Sequence, residues 1–365
     1  MATFGIEEEF LLVDPATGFP APRAAELAGI LAAAPAAIPA GTPAPAGQAE
    51  FLACQLETNT VICETVEEAS ASLLGARKAI AGAAAAAGVG VVLSGAAPRI
   101  AETPAEVSGT ERYQAMGALT GAVAGEHYLN GTHVHVAVPN RETGITALNR
   151  LRPWLSTLAA LGGNSPFWRG RDTSFASWRL IHYRRWSVQG CPPEFADAVD
   201  YDRRMARLLD SDAVLDAGHI GWAARLSQRY PTVEVRVGDT QLEAADSVLL
   251  AALVRGLVLT ASAAPGPVPE PELLDAGLWQ AARYGLGGRL MGVLGDSVTA
   301  EEQVGALLEH IRPSLEDNGD LDYVRRGVQR MLVSGTGAER QRAAYASGGW
   351  DGLTSLFGSA LTAEA

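Results

Sequence analysis

Glu7 and Glu9 stand two residues apart in Gly5-Ile6-Glu7-Glu8-Glu9-Phe10. Side chains of an extended strand alternate between faces, so these two carboxylates share one side, with Ile6, Glu8 and Phe10 on the other. Carboxylates held together repel unless water or a cation lies between them; an exposed acidic edge strand is the plain alternative. A second acidic stretch, Glu50 to Thr58, carries Gln55 and Glu57 on one face. Glu50 falls on the opposite face of a regular strand, so convergence of all three requires a bend. Gly131-Thr132-His133-Val134-His135-Val136 puts two imidazoles on one side with valines behind them. Thr232 to Asp239 sets Glu234 beside Arg236, either as a functional pair or as a cross-strand ion pair.

Ligands that are mostly oxygen, with one or two histidines, suit magnesium or manganese better than zinc. Arginine beside a divalent-ion cluster is what a transferring phosphoryl group requires, because both neutralise its oxygens. No Ser-His-Asp order, Gly-x-Ser-x-Gly elbow or His-Glu-x-x-His is present. Nothing therefore points to a covalent enzyme intermediate.

Composition narrows the field. The 28 basic and 41 acidic side chains give a net charge of −13, and there is no long basic run, which argues against a nucleic-acid partner. Lys78 is the only lysine, and no Gly-rich phosphate loop precedes it. Phosphate chemistry would have to rely on arginine, backbone N–H groups and metal ions. Cys54, Cys63 and Cys191 are odd in number and form no Cys-x-x-Cys pair. Reduced thiols in a cytoplasmic protein are the expectation, with Cys54 and Cys63 as small buried residues. No signal peptide and no run of about 18 apolar residues is found, so no membrane span is expected.

The elements needed to hold these side chains follow from pattern. Thr3 to Val13 reads as a strand ending at Asp14-Pro15, and Glu64 to Ala87 as a long helix. Val89 to Ser94 reads as a short buried strand, Gly109 to Gly121 as a helix, and Ile145 to Gly162 as another. His219 to Leu226 and Thr232 to Val237 read as adjacent strands, with nearly everything after Glu243 helical. The Ala- and Pro-rich Ala34 to Gly47 reads as a loose surface connection. Strands scattered among helices, without regular βαβ phosphate turns, predict an α+β fold with an antiparallel sheet. Without a linker or an internal repeat, residues 1–365 are expected to form a single catalytic domain.

Several segments together resemble the glutamate–cysteine ligase type 2 family, the ATP-dependent carboxylate–amine ligases. They are Gly-Ile-Glu-Glu-Glu-Phe at 5–10, Gly-Thr-His-Val-His-Val at 131–136 and Ser165-Pro166-Phe167-Trp168-Arg169-Gly170-Arg171-Asp172-Thr173. Gly190-Cys191-Pro192-Pro193, Thr232-Val233-Glu234-Val235-Arg236 and Gly335-Thr336-Gly337-Ala338-Glu339-Arg340-Gln341-Arg342 continue the match in order. The sequence departs from the family where Asp-Thr-Gly-Tyr is common: here Asp172-Thr173 is followed by Ser174-Phe175.

The resemblance implies a glutamine-synthetase-like half-barrel, a curved and mainly antiparallel sheet with helices packed outside. It also implies ATP and two or three Mg2+ ions, with Mn2+ as the alternative. Metal ligation would fall to Glu7, Glu9, Glu50, Glu57, His133 and Glu234. Arg236 would meet the ATP phosphates, with His135 and Gln55 on the nucleotide side. Arg236, Glu57 and Arg179 are the candidate catalytic groups, Arg179 as partner of the substrate carboxylate. The implied reaction joins a small-molecule carboxylate to an amine through an acyl phosphate, glutamate and cysteine being the default pair, in a homo-oligomer. The alternatives are another acid and amine in secondary metabolism, a metal-dependent amidohydrolase, or a non-catalytic metabolite sensor.

Overall fold

The computed structural model describes residues 2–33, 47–260 and 268–364. The connection expected over Ala34 to Gly47 therefore lies outside the described residues, Gly47 excepted.

Seven strands form one open antiparallel sheet. They are β1 (Phe4–Val13), β2 (Gln48–Ala49), β3 (Gln55–Asn59), β4 (Gly90–Val92), β5 (Gly131–Ala137), β6 (Ala224–Leu226) and β7 (Thr232–Asp239). The order across the sheet is β6-β7-β5-β1-β3-β2, with β4 beside β1 at Leu11 to Val13, beyond the end of β5. A short parallel pair, Gln189–Gly190 with Gly221–Trp222, lies outside it.

One face of the sheet is core. Phe4, Ile6, Val134, Val136, Val233 and Val235 alternate inward and are buried in a single apolar cluster. That cluster includes the helix Ala244–Thr260, apolar nearly all round and buried along most of its length. The helix Val66–Ala87 also packs there; it begins at Thr65, whose hydroxyl accepts from Glu68 N–H, and ends at Gly88 in the left-handed region.

Glu8 points into this core, as strand alternation requires, and does not stay unpaired. Arg77 donates to both its oxygens, at 2.9 and 2.7 Å, and Ser247 adds a hydroxyl. Arg77 spends its remaining N–H groups on the carbonyls of Gln241 and Leu242, and both charged side chains are fully buried.

Three expectations are corrected. The single strand over Glu50 to Thr58 is instead two arms of a tight hairpin: Gln48 pairs with Glu57, and Glu50 N–H donates to the Gln55 carbonyl at 2.9 Å. The helix expected from Ile145 starts earlier, at Arg141, because the Asn140 side chain caps it. It also does not run through: Pro153 sits in a 3-10 turn between Arg141–Leu151 and Leu155–Leu161. The helical C-terminal region contains a hairpin, Arg289–Met291 with Ser297–Thr299. Cys54, Cys63 and Cys191 are free thiols, with Cys54 and Cys63 buried as expected.

Candidate active site

The second face of the sheet carries the polar residues. Its register sets Glu7 opposite His133, Glu9 opposite Glu57, and Glu234 opposite His135. Because β2 folds back on β3, Glu50 reaches the same face as Glu57, which a straight strand could not do. The result is two groups, Glu7–His133–Glu234 and Glu9–Glu50–Glu57, each with ligand atoms within 4.8 Å of one another.

The electrostatics of the two groups differ. Burial works against ionisation of Glu7, but hydrogen bonding to His133 and His135 outweighs it and holds the carboxyl well below its ordinary range. In the second group repulsion prevails. Burial, then the charge of Glu50, raises Glu9 to about 7. Burial raises Glu50, and burial with the charges of Glu50, Glu7 and Glu9 pushes Glu57 well above its usual value. Single hydrogen bonds offset little of this: Gly131 N–H to Glu9 at 2.6 Å, Tyr113 O–H to Glu50 at 2.8 Å, and Gln48 to Glu57 at 2.7 Å.

The His133 Nδ1 lies 3.2 Å from a Glu7 oxygen, which accepts, and 3.5 Å from Arg236 Nη1, which donates; the shorter contact places the ring proton on Nδ1. Burial, then the charge of Arg236, lowers this imidazole to about 4, leaving it neutral. The Nε2 lone pair is buried, has no partner among the described residues, and lies 4.0 Å from Glu9. An orphaned acceptor between carboxylates is what a cation would satisfy. His135 sits beside it, with Nε2 3.2 Å from Glu7 and Nδ1 3.0 Å from Thr232 Oγ1.

Arg236 occupies a bulge. β7 pairs regularly up to Val235 and resumes at Gly238, so Arg236 and Val237 together oppose His133. The guanidinium contacts Glu234 and donates to Tyr183 Oη at 3.3 Å, while its Nε is buried without a partner among the described residues. Glu234 also receives Arg225, at 2.8 and 3.1 Å. Burial opposes ionisation of Glu234, but Arg236 and Arg225 prevail and hold it far below the usual carboxylate range. Both its oxygens are thus engaged by arginine, which distinguishes it from the other expected ligands.

Arg179 lies in the first turn of the helix Trp178–Tyr183, which follows the irregular stretch after Asn164, and a buried carboxylate holds that stretch in place. Asp239 accepts from Asn164 N–H at 2.8 Å, Ser165 Oγ at 2.6 Å and Ser177 Oγ at 2.8 Å, and Ser165 Oγ in turn accepts from Arg179 N–H. The Arg179 guanidinium donates to the Arg236 carbonyl at 3.2 Å. A Cβ at residue 131 would sit 2.3 Å from Arg179 Nη2, so Gly131 makes this approach possible. The segment Gly335 to Arg342 braces the same loop from outside. Gln341 donates to Asn164 at 2.9 and 2.6 Å, and Arg342 grips Asp172 at 2.9 and 3.0 Å.

Ser174, where the family commonly has glycine, adopts φ +62°. Replacing it with glycine should stabilise the protein by about 0.5–1 kcal/mol: relief of a left-handed side chain, less the entropy glycine adds to the unfolded chain. A higher urea midpoint would register it; an unchanged or lower midpoint would mean the position carries no strain.

Gln55, expected on the nucleotide side, has its amide engaged by the scaffold. Its amide donates to the Leu129 carbonyl at 2.6 Å and to Asn130 at 3.1 Å, and accepts from Leu52 N–H at 2.9 Å, so the scaffold consumes it. Arg225, Tyr113 and Tyr183 also reach the site. Arg225 lies in the strand expected over His219 to Leu226, where nothing marks it as a site residue, and Tyr113 and Tyr183 lie on helices, which have no strand alternation to mark them.

The sequence profile described as glutamate-cysteine ligase family 2 matches residues 3–355. The chain belongs to this family. A Saccharopolyspora erythraea protein provisionally named glutamate–cysteine ligase 2-2 is 42% identical over 353 residues, covering 95% of this chain and 89% of its own. A Mycolicibacterium smegmatis protein provisionally named glutamate–cysteine ligase 2-3 is 39% identical, covering 94% and 93%. Among solved structures, glutamate–cysteine ligase from Francisella tularensis in complex with AMP aligns over 100% of this chain and 89% of its own, with TM-score 0.67 and 13% identity. At that identity the likeness shows the fold: helices and an open, mainly antiparallel sheet. As a member of glutamate–cysteine ligase family 2, the chain is an amide-forming carbon–nitrogen ligase. No helix among the described residues is long and apolar enough to cross a membrane.

Proposed function

We propose that residues 1–365 act as one catalytic unit that uses ATP and Mg2+ to join a carboxylate to an amine, with glutamate and cysteine as the default pair. The observation that carries the metal and nucleotide part is the pairing of two acidic groups with arginine: Glu7–His133–Glu234 and Glu9–Glu50–Glu57, flanked by Arg236 and Arg179. Three half-buried carboxylates whose protonation is forced upward are stabilised together by divalent cations and by little else. Glu9, Glu50 and Glu57 fit one such ion, with the His133 Nε2 lone pair 4.0 Å from Glu9. Glu7 with the remaining lone pairs of Glu234 fits another, since a carboxylate oxygen can accept more than once. Bound there, Mg2+ supplies charge neutralisation to phosphate oxygens.

In the proposed reaction the substrate carboxylate attacks the γ-phosphorus of ATP, releasing ADP and giving an acyl phosphate. The amine then attacks the acyl carbon, phosphate leaves, and the amine proton passes to solvent. The protein's own contribution is position and charge. Arg236, held by Glu234 and Tyr183, presents a fixed cation to the phosphates, and His135 stands beside it. Arg179, anchored through Ser165 to Asp239, faces the substrate carboxylate. Glu57, whose proton affinity burial and the neighbouring carboxylates raise, is the candidate proton acceptor of this group when no cation holds it.

A screen of carboxylates and amines with Mg2+ and ATP tests the reading. ADP and phosphate should form only when both partners are present. Formation of AMP would overturn the acyl-phosphate route, and amide hydrolysis without ATP would favour a metal-dependent amidohydrolase instead.

A further inference from the structure

Next to Arg236 and Arg179 lies a group of aromatic rings that the reaction above does not use. Phe51, adjacent to Glu50, packs edge-on against Tyr113, His127 and Trp186 at centroid distances of 5.6, 5.5 and 5.7 Å. Tyr183 links this group to the arginines. Its ring lies 5.6 Å from that of His127 and 5.4 Å from the Arg179 guanidinium carbon, and its hydroxyl meets Arg236.

Within this box the orientation of His127 follows from one bond. Trp186 Nε1–H donates to His127 Nδ1 at 3.0 Å. An indole nitrogen can only donate, so Nδ1 must hold a lone pair and the ring proton must sit on Nε2. No hydrogen bond within the described residues engages that Nε2. Burial, then the nearby cationic groups, lowers the affinity of this ring for a second proton, which agrees with a neutral imidazole. His127 is therefore an N–H donor fixed in direction and left without a receiver. It is unsuited to act as a base, because protonation would remove the acceptor Trp186 uses.

The neighbouring groups share its sense. The Arg236 Nε–H is buried and unpartnered among the described residues, and Arg179 offers N–H groups whose acceptor is a carbonyl carrying no formal charge. All three donor residues border Tyr183, and His127 also packs on the rings of Phe51 and Trp186, a surrounding opposite in character to the carboxylates of the sheet. This arrangement fits a carboxylate on a short apolar stem and repels an ammonium group.

We propose that His127 is a substrate-binding residue of the ligase, its Nε2–H joining Arg179 in holding a carboxylate of the acid substrate against the Phe51–Tyr183–Trp186 box. The proposal rests on the ligase reading, because it assumes that an acid substrate is bound beside Arg236. It assigns His127 to recognition, so its loss should raise KM for the acid more than it lowers kcat.

Two substitutions separate recognition from scaffolding. His127→Asn keeps an acceptor near the Nδ1 position for Trp186 and removes the donor into the site. His127→Gln places an amide donor near the Nε2 position and loses the acceptor. The probe is L-glutamate, with calorimetric titration of the Mg2+-loaded enzyme carrying a non-hydrolysable ATP analogue. The affinity of His127→Asn should fall about 10- to 100-fold, the loss of one hydrogen bond to a charged group, with His127→Gln within about 3-fold of the parent. A structural role predicts the reverse order, and that result would overturn the proposal, as would equal binding or no binding by all three proteins. Should His127→Gln not fold, the steady-state constants of His127→Asn replace it: a fall in kcat with KM for the acid unchanged would overturn the proposal. ADP release assayed in parallel keeps the two readings apart. Absent turnover with the expected binding order strikes the ligase reading alone, while normal turnover with unaltered binding in His127→Asn strikes this one alone.

Discussion

Glu9→Gln is expected to reduce ADP release by about 10³-fold or more, the scale of several kcal/mol that a cation contributes to charge neutralisation, while making the metal-stripped protein more stable. The two effects share one cause. Glu9 is raised from 4.5 to about 7, first by burial and then by the charge of Glu50. A carboxyl with a raised value in the folded state favours folding only while protonated. Its penalty is absent below about pH 4.5, grows as pH rises towards 7, and is fully present above that. Glutamine removes the charge and keeps an acceptor for Gly131 N–H. The variant should thus gain up to about 3 kcal/mol at pH 8 in EDTA and nothing at pH 4. Denaturant titration at the two pH values reads it. A variant that lost stability at pH 8, or kept normal turnover, would remove Glu9 from the cation site.

Arg77→Ala is expected to have the largest effect on stability, a loss of about 3–5 kcal/mol, because Glu8 would be left as an unpaired charge in the core. Both side chains are fully buried and joined by two hydrogen bonds. The double replacement Glu8→Leu with Arg77→Met should lose less than the single change, since it removes both charges together and leaves mainly the Gln241 and Leu242 carbonyls to be accommodated. Guanidinium unfolding of the parent and the two variants measures this. Equal losses in the single and double variants would show that the pair contributes packing alone. The pair also bears on the site: Glu8 lies between Glu7 and Glu9, so pinning its side chain to Arg77 fixes the strand that presents both carboxylates to the opposite face.

Much of the site was legible where chemistry follows from local geometry. A spacing of two along a strand fixes which side chains share a face, because backbone pleating makes the alternation unavoidable. Glu7 with Glu9 and His133 with His135 needed only that rule, as did the placement of Glu8 in the core. The antiparallel α+β class was readable too, since strands scattered among helices without βαβ phosphate turns have few other ways to pair. The family resemblance added Glu50 and Arg179, which no periodicity would have selected.

Tertiary structure alone decided how those faces meet. Glu50 joins Glu57 because a four-residue reversal separates two strand arms, whereas the alternation of one continuous strand would have kept them apart. Gln55 has the right parity for the site, yet its amide is consumed by Leu129, Asn130 and Leu52, because a buried amide must find partners wherever the packing supplies them. Arg236 owes its position to a bulge opposite His133, and Arg179 owes its own to Asp239 and the missing side chain of Gly131. Glu7 and Glu9, two carboxylates on one strand by local rule, became parts of two different clusters only when β5, β7 and the β2–β3 hairpin came alongside. Pairing between segments distant in sequence is set by packing and register, and a two-residue period carries no information about either.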